Sequence, residues 1–351
     1  MRYSYTIFPV TLLLTSAQVS SSDIQLKDLI NELDISPYAN LKIAATYSNK
    51  QEKTHERSNR SSQQWQLKDN ASKAGIKFNY PVAQSKIYGR YELGTNANTD
   101  DTPFFKTRQA YLGVRTQWGK LQYGQQNAIV KNYDNFDRSH RVGASVHLTK
   151  DELNTKRPSH TMQYHTRFDE FRLSGQYNFS RTLENRPQLR IGSQRLRVKD
   201  TKLDYGVGLG IHYTGLKNIE LEAGYQASYY EQAKYHTHIA SAKWQASSNL
   251  QVSIYGATHS LKDLQKSKTA ESRHYALGAR YRLFDQHRIY GSLEYACGAN
   301  DIKGAKQRAL VIGNDYRFAS QKHAYVEIRK RYFDANKADD INVALGINIK
   351  F

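Results

Sequence analysis

The chain ends on Ile341-Asn342-Val343-Ala344-Leu345-Gly346-Ile347-Asn348-Ile349-Lys350-Phe351, a stretch that alternates between two kinds of side chain. Bulky apolar residues occupy every odd-numbered position, and small or polar residues occupy every even-numbered one. Because successive side chains of a strand point to opposite faces, this period predicts a β-strand with one apolar face. Its length matches the roughly 9–11 tilted residues with which a barrel strand crosses a bilayer.

The first residues have the features of a secretion signal. Arg2 supplies a positive charge, residues 7–14 are mostly apolar, and small residues follow around Ala17 and Ser21. The apolar stretch is too short to cross a membrane as a helix. We therefore expect residues 1–21 to be a signal peptide. A secreted chain that ends on such a strand indicates the bacterial outer membrane.

Hydropathy excludes one class of membrane protein. The mean hydropathy is −0.75, and the sequence has no apolar run of about 18 residues, so a bundle of membrane helices is excluded. A transmembrane barrel remains compatible, because its strands alternate between lipid and water. Alternating segments predict sixteen strands, an even number as in single-chain bacterial barrels. They cover residues 38–47, 71–80, 85–95, 105–117, 119–127, 155–166, 169–180, 203–214, 218–230, 236–246, 249–260, 273–284, 287–297, 306–318, 322–333 and 340–351.

The connections between these strands are tight on one side and longer on the other. The long ones, at 48–70, 128–154 and 181–202, are polar, as expected for external loops. We therefore predict an all-β protein, a 16-stranded antiparallel transmembrane β-barrel over residues 38–351. Residues 22–37 form an N-terminal extension. Its apolar spacing is typical of a short amphipathic helix, and a loosely held leader is the simpler interpretation.

The charge of the chain is strongly positive. It has 51 Lys and Arg against 32 Asp and Glu, a formal net charge of +19. The basic residues recur along strands and loops rather than on one helix face or tail, and a secreted chain meets little nucleic acid. We therefore expect no nucleic-acid partner. We assign the charge to a lumen and to loops beside lipid phosphates.

No catalytic or metal-binding motif competes with a membrane role. Cys297 is the single cysteine, so no internal disulfide forms, and it shares an apolar strand face with Leu293 and Tyr295. His236 and His238 are the only histidines at strand-face spacing, and without a nearby third ligand they make a weak metal site. No phosphate loop or nucleophile elbow occurs. We predict no enzyme activity, no cofactor and no metal.

Several motifs resemble those of the general diffusion porins of Gram-negative bacteria, the trimeric enteric matrix-porin type. The segment Lys106-Thr107-Arg108-Gln109-Ala110-Tyr111-Leu112-Gly113, followed by Leu121-Gln122-Tyr123-Gly124, resembles a family strand that leads into the third loop. Residues 205–208 and 343–351 resemble the eighth and last strands of that family. The resemblance covers nearly the whole mature chain and rests on the order and spacing of these motifs together.

This resemblance implies a third loop that folds into the barrel and narrows it. Carried over by position, the basic wall of the constriction comprises Lys73, Lys106, Arg108 and Arg157, the last placed in strand six. The loop carboxylates facing it are Asp134 and Asp137, although this loop also carries basic residues and lacks the family's acidic run. Phe351 resembles the terminus that the barrel-assembly machinery recognises. A homotrimer and contacts with outer-membrane lipid and lipopolysaccharide follow as further expectations.

The alternation in predicted strand four does not show which of its two faces points into the lumen. Ala110, Leu112 and Val114 have the parity of Arg108, so periodicity alone does not turn that face toward water. Gln109 and Tyr111 belong to the other candidate outer face. The resemblance decides here in favour of Arg108 pointing inward.

The expected function is a water-filled channel for passive diffusion of small hydrophilic solutes and ions, with a preference for anions. A substrate-specific channel for sugar, phosphate or chito-oligosaccharide is one alternative. A surface adhesin or receptor barrel is another, and it would place binding on loops 48–70 and 181–202. Saturable block of the current by one solute would favour the first alternative, and loss of binding on deletion of the loops would favour the second.

Overall fold

A computed structural model of the chain describes residues 32–50, 64–95, 104–132, 156–183, 186–191, 193–334 and 339–351. Its main sheet has eighteen hydrogen-bonded segments. Two pairs of these segments continue one another along the same neighbouring strand, which leaves sixteen antiparallel strands. The predicted 16-stranded barrel is therefore confirmed.

The strands follow one another around the barrel in chain order. They are β1 (Asp34–Lys50), β2 (Gln64–Asp69 and Lys73–Val82), β3 (Ser85–Thr95), β4 (Phe105–Thr116), β5 (Gly119–Gln125), β6 (Thr161–Phe168), β7 (Phe171–Asn178, continued by Arg181–Thr182), β8 (Lys202–Leu216), β9 (Ile219–Tyr230), β10 (Ala233–Gln245), β11 (Leu250–Asp263), β12 (Lys268–Arg282), β13 (His287–Asn300), β14 (Lys306–Ala319), β15 (Lys322–Phe333) and β16 (Asp340–Lys350). One short helix, α1 (Ile129–Asn132), follows β5. A separate two-stranded hairpin, Gln188–Ile191 with Gln194–Arg197, lies between β7 and β8.

The last strand closes the barrel by pairing with the first. β16 runs antiparallel to β1 in a register that joins Asn40 to Lys350 and Lys50 to Asp340. Beyond the ladder, the Phe351 amide donates to the Ala39 carbonyl at 2.9 Å. Closure leaves neither strand with an unpaired edge, so the backbone groups of both are satisfied within the sheet.

The two faces of the sheet are the reverse of those in a soluble protein. Leu209, Leu293 and Ile312 are 62%, 56% and 55% exposed on the outer face. By contrast, Gln226 and Glu327 are buried on the inner face. Apolar side chains directed outward and polar ones directed inward fit lipid around the barrel and water within it. No helix among the described residues is long and apolar enough to cross a membrane.

The connections differ in part from the predicted pattern. Those on the N-terminal side of β1 are tight, and residues such as Ala83, Asn218 and Gln321 adopt positive φ there. On the other side, the connections after β9, β11 and β13 are also short, so the prediction of long external loops was wrong for these three. Residues 51–63 of the first loop lie outside the described residues.

Several strand boundaries, among them those of β1, β2 and β6, also differ from the prediction. β1 begins at Asp34 and therefore takes in residues that we had assigned to the N-terminal extension 22–37. β2 begins at Gln64, earlier than predicted, and is interrupted at residues 70–72. There the Ser72 hydroxyl accepts a hydrogen bond from the Lys42 amide at 2.8 Å. β6 begins at Thr161 rather than at residue 155. The predicted helix before β1 lies almost entirely outside the described residues.

A β-bulge in β4 resolves the assignment of its faces. Gln109 pairs with Glu92 whereas Thr107 pairs with Leu93, so Arg108 is an extra residue in the ladder. As a result, Arg108 and Gln109 both point inward, and the alternation changes phase between them. Leu112 is 55% exposed to the lipid side. Our expectation that Gln109 and Tyr111 would face outward was therefore wrong.

Candidate functional site: the lumen wall

A buried carboxylate lies at the centre of the basic wall. Glu92, on β3, is fully buried. Its Oε2 accepts from Lys73 Nζ at 2.8 Å and from the Tyr38 hydroxyl at 2.8 Å, and its Oε1 accepts from Arg108 Nε at 3.0 Å. Charge-assisted bonds of this kind are the strong class of protein hydrogen bond. Four strands, β1 to β4, are thereby joined at one point on the lumen wall.

Two further basic residues of this wall contact neutral groups. Lys77 Nζ lies 5.2 Å from the centre of the Tyr38 ring, and the Arg90 guanidinium lies 5.3 Å from the same centre. Arg90 also donates to Gln109 Oε1 at 3.4 Å. Cation–π contacts hold a cation in place without neutralising it. The charges of Lys77 and Arg90 therefore remain available to a solute in the lumen.

The predicted wall residues occupy two different kinds of position. Lys73 and Arg108 meet at Glu92, and Lys106 pairs with Gly94 on the same inner face and is exposed. The Arg108 side chain passes directly over Gly94, where a Cβ would collide with Arg108 Cδ. That Lys73, Lys106 and Arg108 line a constriction stays a prediction.

Arg157 lies on the loop before β6, not on the strand where the prediction placed it. Burial, and after it the charge of nearby Arg108, lower the pKa of Arg157 to about 10, while the Glu92 carboxylate acts in the opposite direction. Arg157 is therefore electrostatically part of the same wall. Asp134 and Asp137 lie outside the described residues.

A row of side-chain amides crosses the neighbouring part of the wall. Gln122 donates to Gln163 at 3.2 Å, Gln163 to Gln176 at 2.6 Å, and Gln176 to Gln226 at 3.0 Å. This amide row joins β5, β6 and β7, and it crosses β8 to reach β9. Each amide both donates and accepts, so the row satisfies buried polar groups without adding net charge.

The amide row also holds the beginning of the third loop. Gln163 Nε2 donates to the Asn127 carbonyl at 2.7 Å, and the Ile129 amide donates to Gln176 Oε1 at 3.0 Å. The next turn is α1, where Val130 is buried against Ile239 and Tyr255 of the inner wall. The described start of the third loop therefore lies inside the barrel. The rest of this loop, residues 133–155, is outside the described residues.

The lumen at the end of the barrel with the tight turns, which we call the lower lumen, is lined mainly by basic side chains. One continuous space runs from β1–β4 across to β12–β16, near the closing terminus. Its charged side chains are Lys42, Lys73, Lys77, Arg90, Arg108, Arg280, Arg288 and Lys350, with Asp315 as the one acidic side chain. Asp315 itself pairs with Arg288 and lies 3.1 Å from His323. Fixed positive charge therefore dominates this part of the wall.

A second charged cluster includes His212, Glu220 and Glu222, whose ligand-type atoms lie within 4.8 Å of one another. Lys243 Nζ lies 2.7 Å from Glu220 and 3.8 Å from Glu222. This ammonium already supplies the positive charge that the two carboxylates attract. By contrast, His236 and His238 lie on the outer face, because the intervening Thr237 is fully buried and bonds to His259 at 3.0 Å.

Sequence reasoning missed Glu92 and the amide row. Glu92 has the same strand parity as Arg90 and lies opposite outward-facing Tyr91 and Leu93, so alternation alone places its carboxylate in the lumen. The glutamines are at inner positions of different strands. Only the register between strands brings them into contact, and that register is not readable from one sequence.

A closed barrel with an apolar exterior, a polar lumen and a loop that starts inside it is the architecture of an outer-membrane channel. The sequence profile of the Gram-negative porins matches residues 10–336. The chain belongs to this family and is a protein of the outer membrane. The predicted resemblance is confirmed.

Comparison with solved structures supports the same fold. An anion-selective porin from Comamonas acidovorans superposes with a TM-score of 0.74 at 13% identity, over 91% of this chain and 100% of that chain. A loop L8 deletion mutant of the Vibrio cholerae outer membrane protein OmpT gives 0.73 at 15% identity, over 91% and 100%. Salmonella typhi OmpF gives 0.66 at 15% identity, over 92% and 99%. A comparison with curated protein sequences gives no match.

Proposed function

We propose that this porin lets small hydrophilic solutes and ions diffuse passively across the outer membrane and that it prefers anions. The observation that carries this proposal is the lining of the lower lumen, where eight basic side chains accompany one acidic side chain. A wall of fixed positive charge raises the local anion concentration and lowers that of cations. The process needs no bond chemistry and no cofactor, so it is not enzymatic.

The pairing of Glu92 limits which cations contribute to this preference. Lys73 and Arg108 share its carboxylate, so this group of three carries one net positive charge. Lys77 and Arg90 contact the Tyr38 ring instead of a carboxylate. We therefore assign the larger part of the anion preference to Lys77, Arg90 and Arg157. Arg280 and Arg288, on β12 and β13 across the lumen, contribute as well.

The third loop is proposed to form the constriction. Support comes from its described start, where α1 is fixed to the inner wall by Gln176 and by packing against Tyr255. We propose that the rest of the loop continues within the lumen opposite Lys73 and Arg108. In this proposal Asp134 and Asp137 face that wall and set up a transverse field that aligns polar solutes.

The assembly is proposed to be a homotrimer. An OmpT structure from Vibrio cholerae described as a trimer form has the same fold, with a TM-score of 0.71 at 14% identity. Phe351 is 73% exposed at the end of β16, where it is accessible to the barrel-assembly machinery. Cleavage of residues 1–21 and contacts with lipid and lipopolysaccharide complete the proposal.

Channel recordings and liposome swelling test the proposed diffusion. Protein refolded in detergent and inserted into planar bilayers is expected to give ohmic steps, and proteoliposomes are expected to swell at rates that fall with sugar size. Current that saturates with one solute would favour a specific channel instead. Absence of both current and swelling from protein with a verified β-sheet spectrum would contradict the proposal.

A further inference from the structure

The fourth loop contains a hairpin that the function above does not use. Residues 188–191 and 194–197 pair in the register Leu189 with Leu196 and Arg190 with Arg195. Within each segment apolar and basic residues alternate, so the hairpin has one apolar face and one basic face. We refer to it as the L4 hairpin.

The apolar face of the L4 hairpin is packed against the inside of the barrel mouth. Leu189 and Ile191 are fully buried. They belong to one cluster with Tyr235 of β10, Leu261 of β11 and Ala270 of β12, all of which are also fully buried. Burial of large aliphatic side chains stabilises such a contact. The hairpin is therefore a fixed part of the mouth and not a projecting loop.

Hydrogen bonds attach the L4 hairpin and its base to strand ends over half of the barrel rim. At its turn, the Ser193 amide and hydroxyl both donate to Asp334 Oδ1, at 3.3 and 3.1 Å, just beyond β15. Gln194 Nε2 donates to the Lys303 carbonyl between β13 and β14 at 3.3 Å. At its base, the Asp200 carboxylate accepts the Gln232 amide at 2.7 Å. The hairpin thus reaches from β8 to β15.

The basic face points away from this wall. Arg190, Arg195 and Arg197 are exposed, and Arg190 lies directly opposite Arg195. Like charges directly opposite each other on a hairpin are unfavourable. Asp200 and Asp334 are engaged with backbone amides and Ser193, and no described carboxylate pairs with Arg195 or Arg197. Because the opposite face is buried against the inner wall, these guanidinium groups face the vestibule.

We propose that the basic face of the L4 hairpin is an outer binding site for small multivalent oxyanions such as phosphates and polyphosphates. Guanidinium groups bind two oxygens of one such group in parallel, which a monovalent halide does not match. A multivalent anion also adds negative charge beside Arg195 and Arg197, which no described carboxylate pairs with. The apolar packing fixes the backbone positions of the three arginines before the anion arrives. The inference rests on the proposed channel function and adds a solute class and a direction of access.

The experiment measures block of chloride current by tripolyphosphate. Single channels in bilayers that contain no phosphorylated glycolipid receive tripolyphosphate from one chamber at a time. The orientation of each channel is assigned with an impermeant thiol reagent at Asn218→Cys, on the opposite side of the barrel, in a Cys297→Ser background. The variants are a triple Arg→Gln and a triple Arg→Lys substitution at positions 190, 195 and 197. The controls are Lys266→Gln, on an external turn, and Lys217→Gln, on a periplasmic turn.

Block from the loop side is expected to depend on the L4 hairpin, whereas block from the other side, where tripolyphosphate first meets the cations of the lower lumen, is expected not to. The glutamine triple variant is expected to raise the half-blocking concentration on the order of ten-fold from the loop side, with both controls close to wild type. The lysine triple variant should fall between, since it keeps the charge but loses the bidentate geometry.

Unchanged block from the loop side in the glutamine variant, or an equal loss of block from both sides, would overturn the L4 site while chloride conduction persists. A lysine variant as sensitive as wild type would overturn the bidentate recognition. Absence of any chloride current in wild type would instead contradict the proposed channel itself, so the two failures are distinguishable.

Discussion

Arg108 Nε lies 3.0 Å from Oε1 of Glu92, so the basic wall of this porin contains its own buried counter-charge. The Glu92 carboxylate is inaccessible to solvent, whereas the side chains of Arg108 and Lys73 are 20% and 28% exposed. Solutes in the lumen therefore meet the cations and not the acid. Glu92 fixes the positions of two positive charges on the wall while it cancels part of their sum.

Replacing Glu92 tests this relationship. Glu92→Gln keeps the shape but removes the negative charge, so Lys73 and Arg108 lose their common partner. We expect the free energy of unfolding to fall by about 1.5–3 kcal/mol, in urea titrations of the refolded protein. We also expect the chloride preference to rise. Glu220→Gln is the matched control, because its carboxylate pairs with Lys243 but is 44% exposed. Equal effects of the two substitutions would contradict the structural importance of Glu92.

The bulge at Arg108 makes a prediction about thiol access. In a Cys297→Ser background, Tyr111→Cys places a thiol in the lumen, and Leu112→Cys places one against lipid. A charged, water-soluble thiol reagent should therefore modify position 111 rapidly and position 112 slowly, as measured by mass spectrometry. The reverse order would show that β4 alternates without the phase change.

Tyr255 is expected to hold the third loop against the inner wall. Its ring is part of the cluster that buries Val130 of α1. Tyr255→Ala should loosen the start of the loop and increase both open-channel noise and mean conductance in single-channel recordings. Tyr275→Ala, on the outer face of the next strand, serves as the control. Identical recordings from Tyr255→Ala and wild type would indicate that the loop is held elsewhere.

Arg157 should act as a constant positive charge near neutrality. Its pKa, lowered by burial to about 10, lies above the range from pH 6 to 8, so the guanidinium stays protonated throughout it. Arg157→Gln should therefore lower the chloride preference by the same factor at pH 6 and at pH 8. The difference should be larger in 0.1 M than in 1 M KCl, because salt screens fixed charges. A factor that changes between these pH values would point to a titrating neighbour.

The barrel itself was predictable because its signals are local. Alternation along β16, β8 and β13 specifies which side chains face lipid, and the outward exposure of Leu345, Leu209 and Leu293 agrees with it. The position of Lys73 opposite the apolar residues of β2 was readable in the same way. An alternation with a period of two residues can be recognised in one strand without knowledge of its neighbours.

Features that depend on two strands were not predictable in this way. The bulge at Arg108 exists only relative to Leu93, so a single strand could not indicate it. Arg157 was assigned to a strand because the alternation was extended too far back from Thr161. The L4 hairpin did have a local signal, since Leu189 and Ile191 alternate with basic residues before Gly192-Ser193. We did not predict the hairpin, because residues 181–202 were assigned as a whole to a long polar loop.

The most direct measurement of the central claim is the zero-current potential across a KCl gradient, taken on wild type and on Lys77→Gln/Arg90→Gln. We expect a chloride-to-potassium permeability ratio above one for wild type, and a ratio reduced roughly two-fold or more in the double variant at low salt. Lys217→Gln, at the membrane surface, should leave the ratio unchanged. A wild-type channel that favours potassium would contradict the proposed anion preference.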